Sequence, residues 1–189
     1  MSYFIVLEGI DGSGKSSIGE FFKNDRENVL LTREPTDRPI GRFAQKIAHE
    51  KTSPFKDLFL YLADRVEHTE VIEKKLDENL TVICDRYWGS TAAYQAAYEE
   101  IELDYAEEIQ KPFVLEPDIT FLFDLDPKIS VNRLSEREEK SKYEKLDFLK
   151  KVRQNYLTLA ERHDWKVIDA EKSLKEVKKD FLDSLEDFC

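Results

Sequence analysis

The densest run of chemistry-bearing residues lies close to the N-terminus, at Gly9-Ile10-Asp11-Gly12-Ser13-Gly14-Lys15-Ser16. Its glycines open backbone conformations closed to other residues, so that successive N–H groups can turn toward one anion. Tyr3-Phe4-Ile5-Val6-Leu7 before it reads as a buried strand, and a helix predicted from about Ser16 carries Ile18, Phe21 and Phe22. In that strand–turn–helix setting, G-x-x-x-x-G-K-[ST] is the spacing of a phosphate-cradling loop, with the positive end of a helix dipole added. Lys15 is placed to reach the β- and γ-phosphates of ATP, and the Ser16 hydroxyl to ligate Mg²⁺. The bland alternative is a glycine-rich turn with an incidental lysine, and the flanking strand and helix argue against it. A GTPase would need a guanine-reading Asn-Lys-x-Asp segment, which this sequence lacks. The loop therefore predicts a nucleotide phosphate site, and the acceptor must be read from other residues.

Four arginines are candidates for holding a second anion. Arg33 follows a predicted strand in Thr32-Arg33-Glu34-Pro35, and Arg86 follows another in Asp85-Arg86-Tyr87. Arg65 lies in Leu62-Ala63-Asp64-Arg65, and Arg137 in a charged stretch further on. A guanidinium suits phosphate because its planar fork donates two parallel hydrogen bonds. A solvated surface charge is the ordinary fate of any one arginine, less so for Arg33 and Arg86 at strand ends. Tyr61 and Arg65 are four apart on a predicted helix and share a face, a platform for stacking a base and bonding its carbonyl. Tyr61 reads equally as a core aromatic from pattern alone. Ser90 and Tyr94 repeat the spacing beyond Arg86, with Thr91 and Gln95 beside them, which suits a sugar and a base edge.

These groups need a scaffold, and the hydrophobic pattern supplies one. Short apolar runs at 3–7, 29–31, 80–84, 119–123 and 165–168 alternate with amphipathic stretches, the pattern of a parallel sheet covered by helices. Long helices are predicted through Leu58, Leu62, Val66 and Ile72, and through Leu174, Val177, Phe181, Leu182 and Leu185. The expectation is one doubly wound α/β domain over 1–189, with five parallel strands, helices on both faces and ligands beyond the carboxyl ends of the strands. At 41% hydrophobic and 12% aromatic residues the composition is globular. A formal charge of −11 speaks against a nucleic-acid-coating protein, yet leaves room for a local basic cluster around a small anion. Cys84, in an apolar run, and the terminal Cys189 have neither metal nor redox spacing. No run approaches the roughly 18 apolar residues of a membrane span, and no targeting segment is evident, so a cytoplasmic protein is expected.

Taken in order, the motifs resemble those of the thymidylate kinases. Glu8 to Lys15, Arg33-Glu34-Pro35, Ala63-Asp64-Arg65 and Asp85-Arg86-Tyr87-x-x-Ser90-x-x-Ala93-Tyr94-Gln95 match that family, as do Leu125-Asp126-Pro127 and Val167-Ile168-Asp169-Ala170. The resemblance implies a P-loop NTPase fold with a short helical lid, here about 133–144, and transfer of a phosphoryl from ATP with Mg²⁺ to dTMP. It implies that Tyr61 stacks on thymine while Arg65 and Thr91 bond the base edge. Arg33 and Arg86 would hold the acceptor phosphate, Asp11 would contact the sugar hydroxyl and the nearby arginine, and Tyr94 would exclude a 2′-hydroxyl. Asp85 would help hold the metal, and Ala170 would flank adenine opposite Arg133. A homodimer packed through helices is also implied, and the apolar helix over 56–79 supplies either such a face or core.

The sequence departs from that pattern in two places. Gly12 stands where some members carry an arginine, so the catalytic cation is expected from the lid. There Ser141-Lys142-Tyr143-Glu144 replaces the commoner Asp-Arg-x-Glu, which makes Arg137 the better candidate than Lys140 or Lys142. A solvated charged helix is the bland reading of that stretch. Thr36 to Gly41 is atypical and is assigned no role. Two rival functions remain at this point: a deoxynucleoside kinase with Glu8 or Asp11 as its base, and a regulatory ATPase indifferent to dTMP.

Overall fold

The computed structural model describes residues 2–47, 53–134 and 139–188, without the side chains of 134–145. Phe4–Glu8 (β1) is buried along its whole length and lies between two parallel neighbours, which is why it carries no polar alternation. Those neighbours are Thr81–Asp85 (β3) and Ile119–Asp124 (β4); Val29–Arg33 (β2) and Lys166–Asp169 (β5) are the edges. The order β2-β3-β1-β4-β5, parallel throughout, bears out the expected five-stranded sheet.

Helices flank the sheet. Lys15–Asn24 (α1) leaves the loop after β1, Pro39–Ile47 (α2) follows β2, and Pro54–Asp77 (α3) is the long helix the apolar spacing predicts. Trp88–Gln95 (α4) and Leu103–Glu108 (α5) follow β3, with a short 3₁₀ turn at Lys111–Phe113 before β4. Pro127–Leu134 (α6), Glu139–Arg162 (α7) and Leu174–Glu186 (α8) complete the chain. Phe181 of α8 packs edge-on against Phe22 of α1 and Phe121 of β4, with ring centroids 5.8 and 4.8 Å apart. Val177 and Leu185 are buried beside it, whereas Leu174 is half exposed and does not join the stripe. Cys84 is buried in β3 as expected.

The strand order changes direction at β1, since the chain builds β2 and β3 on one side and β4 and β5 on the other. A crevice opens there, beyond the carboxyl ends. The five strands end on Glu8, Arg33, Asp85, Asp124 and Asp169. Every strand thus delivers an ionisable side chain to one edge, where none of them interrupts the apolar layers below.

Candidate active site

The loop after β1 is shaped by contacts that only glycine permits. Gly9 has φ 141°, and a Cβ there would lie 2.5 Å from the Phe123 carbonyl oxygen. Gly14, at φ 90°, caps α1 in the left-handed region. Lys15 is buried and folds over its own loop, donating to the carbonyls of Gly9 (2.8 Å) and Ile10 (3.0 Å) and to Ser13 Oγ (3.3 Å). Burial, reinforced by repulsion from Arg86, pushes its ammonium down to about 8. Side chains from α6 brace the loop: Ser130 Oγ donates to the Asp11 carbonyl at 2.6 Å and Arg133 Nη1 to that of Gly12 at 2.8 Å. The second Arg133 nitrogen donates to the Ala170 carbonyl at 3.4 Å, so Arg133 ties the turn after β5 to the loop.

Ser16 Oγ donates to Asp85 Oδ2. Asp85 Oδ1 is the only buried side-chain nitrogen or oxygen among the described residues with no hydrogen-bond partner. An orphaned carboxylate oxygen beside a hydroxyl is a hard-oxygen pair aimed at the phosphate site, and it fits a magnesium ion whose remaining ligands are phosphate and water. No cluster of three or more His, Cys, Asp or Glu suited to a metal occurs among the described residues.

Arg86 joins this loop to a second cavity. Its φ of 70° is unusual for a residue with a side chain, and its N–H is fixed by the Leu7 carbonyl at 2.9 Å. The guanidinium donates to Asp11 Oδ1 at 2.6 Å and to Ser90 Oγ at 3.3 Å, and lies 5.1 Å over the Tyr94 ring. The Asp11 N–H in turn donates to the Tyr94 hydroxyl at 3.3 Å. The cavity beyond has a volume of about 380 Å³. Tyr61, Tyr94 and Tyr98 give it aromatic walls, Ser90, Thr91 and Gln95 give it polar groups, and Arg86 and Asp11 stand at its loop end. Burial, with Asp57 adding to it, pushes the Tyr61 hydroxyl up to about 12.

Other expected residues lie elsewhere. Arg33 sits outside the cavity wall, exposed and paired with Asp37 at 2.9 Å. Arg65 does not complete the expected platform with Tyr61, because it lies at 1% exposure beneath the wall and turns into a buried ion pair with Glu34. A charge at that depth requires a partner, and it takes the nearest carboxylate. Arg137 lies outside the described residues, as do the side chains of Lys140 and Lys142. Glu8, considered above as a base, is fully consumed. It accepts from the backbone of Tyr87 and Ser90 at 3.0 Å each, and from the Ser90 and Tyr156 hydroxyls. Burial raises its carboxyl above the ordinary range despite those bonds.

Several lining residues were not singled out in the sequence: Glu34, Pro35, Asp57, Asp64, Tyr98 and Phe148. Glu34 and Pro35 stood inside a quoted motif and Asp64 beside Arg65, a signal that was available. Tyr98, in the turn after α4, and Phe148 of α7 lie 5.0 Å apart by ring centroid, and only the fold joins them. The unassigned segment after Pro35 also gains a role. The Thr36 N–H and hydroxyl both donate to the Asp64 carboxylate, at 2.7 and 2.6 Å, clamping the turn after β2 onto α3.

The family model described as thymidylate kinase matches residues 7–181. The chain is 40% identical over 190 residues to a probable thymidylate kinase of Methanococcoides burtonii, covering 96% of this chain and 94% of that one. It is 38% identical over 200 residues to one from Thermococcus kodakarensis, with 97% of each chain covered. A third, from Pyrobaculum aerophilum, is 39% identical over 180 residues, covering 94% of this chain and 93% of the relative.

Proposed function

Because the chain belongs to the thymidylate kinase family, we propose that it transfers the γ-phosphoryl of ATP to dTMP, with the loop holding the donor and the aromatic cavity holding the acceptor. The observation that carries this reading is Arg86, which lines the acceptor cavity while its guanidinium is anchored to Asp11 of the phosphate loop. A cation held at that junction faces the phosphates of both nucleotides.

The residues divide the work accordingly. The N–H groups of Gly9 to Lys15 and the Lys15 ammonium take the β- and γ-phosphates, for which Lys15 exchanges the loop carbonyls it now bonds. Ser16 and Asp85 would hold magnesium, which would neutralise phosphate charge. Arg86 grips the acceptor phosphate from within the cavity, and Arg33 swings from Asp37 to its outer side. Tyr61 stacks on the base, Thr91 and Gln95 meet its edge, and Tyr94 lies under the sugar beside Asp11. Arg133 and Ala170 flank the adenine. The acceptor is already an anion near neutral pH and needs no strong base, so catalysis is positioning and charge neutralisation. Arg137 is the cation assigned to the transferring phosphoryl.

The consumption of Glu8 in four hydrogen bonds weakens the reading as a deoxynucleoside kinase, which needs a free carboxylate base. A coupled ADP-release assay across dTMP, dUMP, UMP, dCMP, AMP, GMP and thymidine tests the proposal. The expected result is turnover with dTMP far above the rest, and phosphorylation of thymidine in preference to its monophosphate would overturn it. The reading also includes a homodimer in the cytoplasm, with Phe43 of α2 and Phe59 and Val66 of α3 exposed as its apolar face. A monomer by sedimentation velocity would remove that part alone.

A further inference from the structure

Beneath the acceptor cavity lies a buried polar network that the reaction as described does not use. Arg65 donates from Nε to Glu34 Oε2 at 3.0 Å and from Nη2 to the same oxygen. Nη1 donates to Gln110 Oε1, and Nη2 also to Thr91 Oγ1 at 3.0 Å. The other Glu34 oxygen meets His68 Nδ1 at 3.0 Å, and His68 Nε2 meets Thr32 Oγ1 at 2.8 Å. Gln110 is fixed in turn, since its Nε2 donates to the Ala106 carbonyl at 2.6 Å. The guanidinium also lies 5.1 Å over the Tyr87 ring.

The partners come from separate places in the chain: Thr32 in β2, Glu34 just after it, His68 on α3, Thr91 on α4 and Gln110 just past α5. A long flexible side chain has thereby lost its rotational freedom, the condition for a donor to discriminate between ligand atoms rather than adapt to them. The network reaches the cavity through Thr91 and Glu34, which line it, whereas Gln110 and His68 are buried and do not. With Thr91 Oγ1 already accepting from Arg65, its own proton is directed elsewhere. One Arg65 Nη1 hydrogen also has no partner among the described residues. The wall thus presents the Thr91 hydroxyl, held from behind by a fixed guanidinium, where a base edge would lie.

We infer that Gln110, His68 and Glu34 are positioning residues for Arg65 and Thr91, and that this buried network sets the preference for a pyrimidine bearing a carbonyl, over one bearing an amino group, at the edge facing Thr91. A carbonyl accepts from such a wall, whereas an amino group meets it donor to donor and strands a buried polar group. The inference rests on the acceptor assignment made above.

Gln110 allows a test without removing a charge. Gln110→Met takes the acceptor from Arg65 at similar volume, and Gln110→Glu keeps an oxygen there. In steady-state assays on full-length enzyme, Gln110→Met should raise KM for dTMP about tenfold, the scale of one hydrogen bond to a charged group, with kcat and KM for ATP within about twofold. The ratio of kcat/KM for dUMP over dCMP should fall by a similar factor, and Gln110→Glu, which still accepts from Arg65 and when protonated can still donate to the Ala106 carbonyl, should restore part of both. A purely structural role would lower the melting temperature or the active fraction without moving KM. An unchanged KM for dTMP in a folded Gln110→Met variant overturns the inference, as do Met and Glu variants impaired alike. Wild-type enzyme inert toward dTMP would instead bring down the acceptor assignment and this inference with it.

Discussion

The two halves of the site are built on opposite principles. On the donor side, one unbroken segment from Gly9 to Ser16 makes its own cradle, and Lys15 is satisfied by carbonyls and a hydroxyl of the same loop. On the acceptor side, the wall comes from the turn after β2, from α3, the end of β3, α4 and α7, and its best-buried arginine is held by partners as far as 45 residues away in sequence. A local device can carry a functional charge with little consequence for the fold. A device assembled from distant elements makes the same side chains responsible for both binding and stability.

Lys15→Met tests the first half of that contrast and should give the largest effect. Loss of a cation on the transferring phosphate is expected to reduce kcat/KM by about 10²-fold or more, as for other preorganised electrostatic donors. The melting temperature should hold or rise, because among the described residues the lysine side chain bonds only to its own loop and burial already disfavours its charge. Calorimetry beside the kinetic assay checks both numbers. A large drop in melting temperature would show that the donor loop is as structural as the acceptor wall.

Glu34→Gln tests the second half, with stability as the readout. It leaves Arg65 buried at 1% exposure without its carboxylate, a change that typically costs about 3–5 kcal/mol. For a chain of this size that corresponds to a fall of roughly 6–20 °C in melting temperature. Urea unfolding should show a lower midpoint at unchanged slope. If Glu34→Gln melts with wild type while losing dTMP affinity, the wall is as separable from the fold as the loop is.

The same contrast explains what could be read from the sequence. The strand, the glycine spacing, Lys15 and Ser16 are neighbours in the chain, so local pattern specified them. The buried strands were legible as well, to within a residue or two at their ends, because burial on two faces leaves no polar alternation. Arg65 could be singled out from its motif, but its orientation could not. That orientation depends on Glu34 and Gln110 arriving from two other elements, and no spacing encodes their meeting. Likewise the atypical turn after Pro35 had no assignable role until Asp64, 28 residues on, supplied the acceptor for Thr36. Tyr98 and Phe148 face one cavity only once the turn after α4 has packed against α7.

Glu8 stands at the joint between the halves and gives the smallest and most selective prediction. It is the last residue of β1 and the neighbour of Gly9, yet its carboxylate caps the start of α4 and meets Tyr156 of α7. Burial raises its carboxyl above the ordinary 4.5. The folded protein therefore keeps this proton to higher pH than the unfolded chain does. Its contribution to stability is full below the ordinary value and is lost as pH climbs through the raised one. Gln at this position carries no titrating group, while its oxygen can accept from Tyr87 and Ser90 and its amide can donate to the hydroxyls. The stability of Glu8→Gln relative to wild type should then shift in favour of Gln as pH rises from about 4.5, and level off above the folded value. Urea midpoints of the two proteins between about pH 4 and 8 measure that difference, in which every other carboxylate cancels. A difference that does not vary with pH would mean that the buried carboxylate titrates as it does in water, and that the joint exacts no electrostatic cost for tying the donor loop to the acceptor wall.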